Sequence, residues 1–497
     1  MQNIDTLIRT LSQALDVPVP QLAAIAWRDE TGEWSYQDYF AGVQSLAERL
    51  RTLGLARGDR LALDLPRGRL LHQLILACVL NSISFMALPR SGDVQRKRAR
   101  AEQGRCAVLI SEQPFSAEDS ELDGQAFSHQ LCTPGAYREP RTQVDPEVYC
   151  VNTSGSTGEA KIVPIRQSAL RAFLRGFLQS IAIGPDKRWL WMHDLTFDLS
   201  IGEIFGCLAH GGCLSPLSEP DKRDLECSWA QLVTHQIQVV VLTPSEYRFL
   251  SIKPSSEIPW ETLALSEIIF CGEKLSGGLL APHWLALQRS GVRVFNTYGP
   301  SEATVFCTSH LLSDTDIQET SVPLGTALPG MCLQLTSLDE DSDGEVEQGE
   351  LLLEGPQVFQ GYDGQAPLQD AYRTGDVCQR DAAGQLRFMG RLDGFLKVHG
   401  HRVQPYEVES FLASQAGVEE AVVWVEQTKH QAEYLLAYLR ISEGAELTSR
   451  ILRQRCVDLP TYLRPSRYVL LPPQDWPVNE RGKTDRRALK EHSHAHN

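Results

Sequence analysis

Short apolar runs alternate with longer, partly polar segments along most of this chain. The runs RLALDL, CAVLIS, VVVLTP, EIIFCGE and VRVFNTYGP are rich in aliphatic side chains and are followed by turn residues, as buried strands are. Segments between them, such as LHQLILACVL and WAQLVTHQ, have the length and apolar spacing of helices. The alternation predicts an α/β fold with largely parallel sheets, in which ligands bind at the carboxyl ends of strands.

Neither the N-terminus nor the most apolar stretch has the pattern of a membrane segment. The stretch LLHQLILACVLNSISFMALP, residues 70–89, is interrupted by His72, Gln73 and Asn81, so it predicts a buried helix that runs into a strand. The N-terminal segment MQNIDTLIRTLSQALDV lacks the apolar region of a signal peptide and predicts an amphipathic helix. We therefore expect a cytoplasmic protein without membrane insertion, and a monomer as the simplest assembly.

The length of the chain predicts two domains, because 497 residues exceed the about 250–300 at which a single core stops growing. The segment GRLDGFLKVHGHR, residues 390–402, separates the long α/β pattern from a compact βα pattern that continues to the C-terminus. We expect a large domain over residues 1–392, with β-sheets packed by helices. A small, mobile α+β domain is expected over residues 393–497.

Charge and cysteine spacing exclude two classes of function. The formal net charge is −16, whereas a sequence-independent nucleic-acid binder needs a basic surface. The 12 cysteines show no C-x-x-C pair and no zinc-like spacing with histidine. We expect reduced, mostly buried thiols.

The segment NTSGSTGEAKIVP, residues 152–164, is rich in hydroxyls and poor in side-chain bulk. Such a loop lets backbone N–H groups approach an anion, and Lys161 adds a mobile positive charge. The residues alone are equally compatible with a plain Ser/Gly loop. A P-loop is excluded, because Gly158 is followed by Glu159 instead of lysine, and the GKT at residues 482–484 lacks the first glycine of that motif.

Four further segments follow this loop in order, and each carries one residue suited to nucleotide or carboxylate chemistry. LTFDLSIGEIFG places Asp198 in an apolar setting, where a carboxylate is costly unless it meets a cation. FCGEKL and NTYGPSEATVF place Tyr298 and Glu302 after strands. YRTGDVCQRD places Asp376 after a turn glycine, and NERGKTDRRAL places Lys483 in a loop of the small domain.

Together these five segments resemble the adenylate-forming superfamily, which includes acyl-CoA synthetases, luciferases and the amino-acid adenylation domains of peptide synthetases. The resemblance extends from about residue 20 to about residue 490. The early segment LNSISFMALPRSGD departs from the family's usual GG-x-Y-x-P-L element, so the alignment of the N-terminal part rests on fewer residues.

The resemblance implies that the chain binds ATP. The residues implied to hold the β- and γ-phosphates are Thr153, Ser154, Gly155, Ser156, Thr157, Gly158 and Lys161. Tyr298 would stack on adenine, with Gly272 and Glu273 on the opposite face. Asn296 would hydrogen-bond the adenine edge.

The resemblance also implies a ribose contact, a metal ligand and a catalytic lysine. Asp376 would accept from both ribose hydroxyls, with Arg391 beside the same sugar. Glu302 would hold Mg²⁺, and Lys483 would stabilise charge at the α-phosphate. Taken singly, Asp376 also suits a turn cap, the Tyr298 ring ordinary core packing, and Lys483 a solvated surface position.

Two half-reactions are implied, an acyl-adenylate formed from a carboxylate and ATP and then a thioester formed as a thiol displaces AMP. Lys483 serves the first step and would obstruct the thiol in the second. The family resolves this conflict by rotating the C-terminal domain about a hinge, for which Asp393 stands at the matching position. Gly400 would then come beside the pantetheine arm.

Asp198 points to the class of carboxylate. In the amino-acid adenylating branch the aspartate of F-D-x-S pairs with the substrate ammonium, whereas fatty-acyl and aryl-acid enzymes need no anion there. FDLS, LTPS, FCGE, NTYGPSEATV and KVHGHR resemble D-alanine–carrier protein ligases. The related glycine ligase of lipid A modification is a second match. The expected partner is a separate carrier protein that bears phosphopantetheine.

The resemblance implies a small side-chain pocket. Its lining would be Leu199, Gly202, Val241, Ile269, Cys271, Thr297, Val305 and Phe306. An inward phenyl ring at Phe306 would fill the space of a methyl group and favours glycine, whereas Gly202 opens room. If the ring turns outward, D- or L-alanine or proline would fit.

Two other function classes remain at this stage. An acyl- or aryl-CoA ligase would use Asp198 in another role. A non-catalytic relative would keep the fold as a binding module, against which the joint presence of Lys161, Glu302, Asp376 and Lys483 argues. Envelope modification and peptide natural-product assembly both suit the sequence.

Overall fold

The computed structural model describes residues 3–90, 94–112, 119–122, 125–131, 144–154, 160–222, 224–251, 258, 260, 262–338, 346–392, 396–398, 401–403, 405–427, 433–459, 463–479 and 484–495. The strands are β1 Ile25–Asp29, β2 Gly32–Ser35, β3 Arg60–Asp64, β4 Ser84–Ala87, β5 Val108–Ser111, β6 Asp119–Leu122, β7 Gln125–Leu131, β8 Glu147–Ser154, β9 Ala160–Arg166, β10 Arg188–Trp191, β11 Cys213–Pro216, β12 Val239–Leu242, β13 Glu267–Phe270, β14 Arg293–Tyr298, β15 Thr308–Leu311, β16 Thr326–Ala327, β17 Cys332–Thr336, β18 Gln348–Glu354, β19 Tyr372–Arg380, β20 Leu386–Arg391, β21 Leu396–Val398, β22 His401–Val403, β23 Val418–Gln427, β24 Glu433–Ile441 and β25 Arg467–Leu471. The helices are α1 Ile4–Leu15, α2 Tyr36–Thr52, α3 Arg69–Asn81, α4 Val94–Gln103, α5 Gln167–Ser180, α6 Leu199–Ala209, α7 Glu219–Lys222, α8 Leu225–Thr234, α9 Pro244–Leu250, α10 Gly277–Leu280, α11 Trp284–Arg289, α12 Pro405–Ala413, α13 Ser449–Arg455 and α14 Arg486–Ala495.

The elements predicted from the apolar pattern are confirmed. The five strand runs form β3, β5, β12, β13 and β14, and the two helical segments form parts of α3 and α8. The apolar stretch at 70–89 is a buried helix followed by β4, as expected. The N-terminal segment forms α1, which buries Leu7, Ile8, Leu11 and Leu15. Of the described helices, none combines the length and the hydropathy required to cross a bilayer.

Two large sheets form most of the first 330 residues. One has the strand order β6-β7-β5-β3-β4-β8-β9, and the other has the order β16-β15-β14-β13-β12-β10-β11-β1-β2. Their central strands are parallel, and antiparallel strands lie at the edges. Helices α5 and α6 contribute Phe173, Phe177 and Phe205 to the main hydrophobic core.

A four-stranded antiparallel sheet, β17-β18-β19-β20, follows the large sheets. In it Asp376 on β19 lies directly opposite Arg391 on β20. Beyond β20, a three-stranded sheet, β23-β24-β25, packs on α12 and α13 around its own core of Val408, Leu412, Leu439 and Leu452. The second core matches the predicted small C-terminal domain. Asp393, the predicted boundary residue, lies outside the described residues.

Candidate active site

The carboxyl ends of neighbouring parallel strands bring several predicted residues to one edge of the second large sheet. In register, Leu242, Phe270 and Asn296 pair across β12, β13 and β14. Cys271 and Gly272 therefore follow β13 next to the end of β14, where Thr297 donates from its hydroxyl to Phe270 O at 2.8 Å. This is the strand edge at which ligands of parallel sheets bind.

Asp198 lies at the N-terminus of α6, a helix whose residues are all buried. The Asp198 side chain is itself buried, and it makes no capping hydrogen bond to the helix. The partial positive charge of the helix N-terminus favours an anion at this position. Burial and then the charge of Asp198 raise the pKa of the Tyr149 hydroxyl, which places this ring near the carboxylate.

Two buried hydroxyls near Asp198 have no hydrogen-bond partner among the described residues. They are Tyr149 Oη and Ser200 Oγ, and Ser200 is fully buried. Buried polar groups are nearly always paired in native proteins, so such atoms mark places where a polar ligand or water would satisfy them.

All eight predicted pocket residues are buried: Leu199, Gly202, Val241, Ile269, Cys271, Thr297, Val305 and Phe306. A Cβ placed on Gly202 would lie 3.2 Å from Val305 Cγ1, so Val305 packs against α6 one turn below Asp198. The Phe306 ring packs edge to face with Phe173 and Phe177 of α5, at centroid distances of 4.9 and 5.0 Å. Consecutive side chains of this loop are thus directed at two different helices.

The loop that carries these two side chains has unusual backbone geometry. Thr304 has φ 57° and ψ 80°, and Val305 has φ 69°. Positive φ is rare for β-branched residues and costs about 1–3 kcal/mol per residue. Such strain persists only where the surrounding structure holds it, and it is concentrated at functional sites.

Tyr298, Asp376 and Arg391 meet although they are distant in sequence. The Tyr298 hydroxyl donates to Asp376 Oδ2 at 2.5 Å, and Arg391 Nη1 donates to Asp376 Oδ1 at 2.8 Å. Burial and then the Asp376 charge raise the pKa of Tyr298 well above its usual range. Asp376 is therefore more than a turn cap, and the Tyr298 ring is more than a packed core residue. The Asp376 carboxylate accepts hydrogen bonds from both the Tyr298 hydroxyl and the Arg391 guanidinium.

Glu302 and Lys161 meet at a residue that sequence reasoning missed. The Tyr362 hydroxyl donates to Glu302 Oε1 at 2.7 Å, and the Lys161 ammonium lies 4.8 Å from the centre of the Tyr362 ring. The sequence signal was the glycine-flanked tyrosine of QGYDG, which no predicted motif included.

Glu302 does not belong to a larger cluster of metal-binding side chains among the described residues. Within the described residues there is no group of three or more His, Cys, Asp or Glu side chains that could hold a metal ion. Mg²⁺ keeps several waters and is commonly held by one or two carboxylates together with substrate phosphates. The single buried carboxylate of Glu302 fits a cation that arrives with a nucleotide.

The remaining nucleotide residues lie around the same edge. Glu273 Oε2 accepts from Ser245 N at 3.1 Å and from Ser245 Oγ at 2.7 Å, and Gly272 has φ 82°. Asn296 is buried and donates from its amide to Pro323 O at 2.8 Å. Their predicted contacts with adenine stay predictions.

Seven predicted site residues lie outside the described residues: Gly155, Ser156, Thr157, Gly158, Asp393, Gly400 and Lys483. Thr153 and Ser154 are described as the end of strand β8.

A buried ionic cluster near the end of β10 was also missed by sequence reasoning. His193 Nδ1 lies 2.8 Å from Glu203 Oε1, and His193 Nε2 lies 2.9 Å from Glu246 Oε2. Burial opposes the imidazolium, but Glu246 and Glu203 outweigh it and raise the pKa of His193 to about 9. Lys222 pairs with the other Glu246 oxygen at 2.7 Å. Pairs of ions this far apart in sequence have no local signal.

The small domain contacts the large domain beside Glu273. Lys274 Nζ donates to Ser410 Oγ at 3.1 Å, and Arg248 Nη1 lies 3.7 Å from Glu420 Oε2. Glu420 also accepts from the Thr484 hydroxyl. Thr484 directly follows the predicted catalytic lysine, so this contact connects the large domain to the segment that carries it.

Comparisons with known proteins show the family and the fold of this chain. A family described as AMP-binding enzyme matches residues 18–363. A D-alanine–D-alanyl carrier protein ligase of Bacillus licheniformis is 31% identical over 69% of this chain and 70% of its own length. An L-proline–[L-prolyl-carrier protein] ligase of Streptomyces coelicolor is 28% identical over 92% of this chain and 91% of its own length. The crystal structure of ATP-bound MatB from Rhodopseudomonas palustris has a TM-score of 0.79 at 19% identity and covers 99% of both chains.

Proposed function

This chain belongs to the AMP-binding enzymes of the adenylate-forming superfamily, and we propose that it activates a small amino acid with ATP and loads it onto a separate carrier protein. In the first step, a carboxylate oxygen of the amino acid attacks the α-phosphorus of ATP and pyrophosphate leaves. In the second step, the phosphopantetheine thiol attacks the acyl carbon and AMP leaves. The bond made is a thioester.

The observation that carries the proposal is the buried carboxylate of Asp198 at the N-terminus of α6. The α-ammonium of an amino acid would lie against this carboxylate, because an ammonium that enters an apolar pocket is stabilised by a buried anion. The unpartnered hydroxyl of Tyr149, which lies near this carboxylate, is a further polar group that such a zwitterion would satisfy.

The depth of the pocket supports a small substrate. Asp198, Gly202 and Gly206 lie on successive turns of one face of α6, and each turn rises about 5.4 Å. Val305 closes against this face at Gly202, and a Cβ on Gly206 would meet Phe177 at 2.7 Å. An amino acid anchored by its ammonium at Asp198 therefore has about one turn of depth for its side chain.

Glycine is our first substrate, and the packing of Val305 at Gly202 is the contact that supports it. The Phe306 ring packs against Phe173 and Phe177 of α5, so the exclusion of a methyl group by an inward phenyl ring does not contribute. D- or L-alanine and L-proline are the alternatives, and the D-alanine and L-proline carrier protein ligases among the relatives favour them. One methylene group changes the discrimination of an apolar pocket by about 10–200-fold, so the choice is measurable.

The proposed nucleotide contacts combine the roles that the family implies with the contacts seen in the structure. The Asp376 carboxylate, positioned by Tyr298 and Arg391, would accept the ribose hydroxyls, and the loop that begins at the end of β8 would hold the phosphates. Glu302 would hold Mg²⁺, whose charge offsets that of the departing pyrophosphate. Lys483 would stabilise the charge on the α-phosphate, and rotation at Asp393 would bring Gly400 to the pantetheine arm.

Amino-acid-dependent ATP–pyrophosphate exchange tests the proposal. The panel contains glycine, both alanine enantiomers and L-proline, with short fatty acids and aryl acids as amine-free comparisons. We expect exchange with small amino acids only, glycine first. Equal exchange with acids that lack an amine would contradict it and favour an acyl- or aryl-CoA ligase.

A further inference from the structure

The strained pair Thr304–Val305 needs an external support, because neither residue can relieve its positive φ as glycine would. Thr304 is completely buried, and its hydroxyl donates to the backbone oxygen of Gln357 at 2.7 Å. Gln357, the residue that supports the strained pair, is therefore more than fifty positions away in the sequence.

The Gln357 side chain completes the support from the same side. It is fully buried, and its carboxamide end lies 3.0 Å from Phe306 O and 3.3 Å from Ala303 O. Because a carboxamide oxygen cannot bond two carbonyl oxygens, we assign the nitrogen to this position, from which it donates to both. These two carbonyls lie immediately before and after the strained pair. The Gln357 side chain thus bonds the carbonyls at both ends of the strained turn, and its backbone oxygen bonds the Thr304 hydroxyl in the middle.

The segment that carries Gln357, residues 357–363, is also anchored to the first large sheet. The buried guanidinium of Arg60 donates to Asp363 at 3.0 Å, and Arg105 pairs with the same carboxylate. The Asp363 N–H donates to Ile162 O at 3.0 Å. These partners belong to the first large sheet and its loops, so the segment has an attachment outside the pocket turn. It is also bonded to that turn, because Phe359 N donates to Glu302 O at 2.8 Å.

We propose that Gln357 is a specificity-determining positioning residue: it clamps the Thr304–Val305 turn and so fixes how closely Val305 approaches Gly202 in the substrate pocket. The inference rests on the proposed function only for the identity of the substrate. Gln357 touches neither the substrate nor the nucleotide in this role, and it acts through Val305. Without the clamp the turn would relax toward negative φ and Val305 would withdraw from α6.

Two variants test the clamp, with one matched control. Gln357→Met keeps length and burial but removes the amide donors, and Thr304→Val removes only the hydroxyl that bonds Gln357. Gln73→Met is the control, because Gln73 on α3 is also buried and donates to a backbone carbonyl, Tyr39 O on α2 at 3.0 Å, outside the clamped turn. For each protein we would measure kcat/KM in pyrophosphate exchange for every acid of the panel, KM for ATP, and Tm.

We expect Gln357→Met to change the ratio of kcat/KM for the smallest to the next larger substrate by about 10-fold toward the larger one. Thr304→Val should act in the same direction with a smaller change, and KM for ATP should stay within about 2-fold in both. Gln73→Met should lower Tm without changing the ratio. Should Gln357→Met fail to fold, Thr304→Val carries the test.

Unchanged ratios in both variants, or a change equal to that in Gln73→Met, would overturn the inference. The ratio is taken between the two best acids of the whole panel, whatever their class. A protein that prefers amine-free acids would contradict the proposed function, whereas the clamp would still be tested on those acids.

Discussion

At the scale of single residues, the chemistry depends on carboxylates that the fold buries beside selected partners. Asp198 is buried at a helix N-terminus, and Asp376 is held between a phenol and a guanidinium. A carboxylate exposed to water attracts a cation weakly. A buried carboxylate attracts a cation more strongly, because the effective dielectric constant is lower inside the protein. In the proposed function, the specificity for a zwitterion would be an electrostatic property of the buried Asp198 carboxylate.

Replacing Asp198 by asparagine tests that property. The variant keeps the shape of the side chain and removes its charge, so we expect amino-acid-dependent exchange to fall by roughly 100-fold, since losing one partner of a buried charge pair costs about 2–5 kcal/mol. The loss should appear mainly in kcat/KM for the amino acid, measured at saturating ATP. If Asp198→Asn exchanges as fast as the unchanged protein while its Tm is unaltered, the ammonium contact is wrong.

At the scale of secondary-structure elements, buried ion pairs join strands to the segments that form the site. Arg60 on β3 is fully buried and makes a bidentate pair with Glu147 on β8, at 2.9 and 2.8 Å. The same guanidinium donates to Asp363, which belongs to the segment that carries Gln357. Strand β8 leads directly into the predicted phosphate loop, so this pair connects the first sheet to both parts of the site.

Glu147→Gln should destabilise the large domain strongly. Removing one partner leaves Arg60 buried with less compensation, and such changes cost about 3–5 kcal/mol. Glu102→Gln is the control, because the Arg98–Glu102 pair is half exposed and is worth at most about 1 kcal/mol. The measurement is the first unfolding transition in urea. Equal shifts for the two variants would contradict the prediction.

The His193 cluster connects β10 to α6 and α9 and predicts a pH dependence. The pKa of His193 is raised to about 9 in the folded protein by Glu246 and Glu203 against burial, compared with about 6.5 when unfolded. The folded state binds the proton more tightly, so the stabilisation is complete below about pH 6.5 and is lost as the pH rises through about 9.

We therefore expect Tm of the unchanged protein to fall between about pH 7 and about pH 10 more steeply than Tm of His193→Gln, which has no imidazole to titrate. Differential scanning calorimetry across this range measures both slopes. Parallel slopes would show that His193 contributes no charge-dependent stability.

At the scale of the whole molecule, contacts between the large and the small domain lie beside Glu273, a residue of the candidate site. Arg248 on α9 contacts Glu420 on β23, and Glu420 also binds Thr484 beside the predicted catalytic lysine. Lys274, next to the predicted adenine contact Glu273, donates to Ser410 on α12. In the proposed two-step reaction these contacts would form and break as the small domain changes position.

Arg248→Met should change the balance between the two half-reactions. It removes the charge that attracts Glu420 and so weakens the contact next to Lys483, and we expect pyrophosphate exchange to slow by about 2–5-fold, the effect of a partly exposed ion pair. Transfer from preformed aminoacyl-adenylate to carrier protein should be unaffected. Arg289→Met, a change in the last turn of α11, is the control. Equal slowing of both half-reactions would contradict the prediction.

The sequence by itself determined the elements and the family. Aliphatic runs such as RLALDL and VVVLTP predicted β3 and β12 because strand burial and turn chemistry are local properties. The five ordered segments pointed to the adenylate-forming superfamily, and their residues could be placed after strands because parallel strands end at one edge. The roles of Asp198 and of the pocket residues were implied by the family resemblance and stay predictions.

Only the tertiary structure decided which side chains meet. Tyr298 and Asp376 are 78 positions apart, and Gln357 supports a turn more than fifty positions away, and no spacing in the sequence carries that information. The direction of the Phe306 ring toward Phe173 and Phe177, and the contact of Val305 with Gly202, depend on how α5 and α6 pack. Local pattern fixes what each segment becomes, whereas the balance of long-range packing, burial and charge sets the shape and electrostatics of the site.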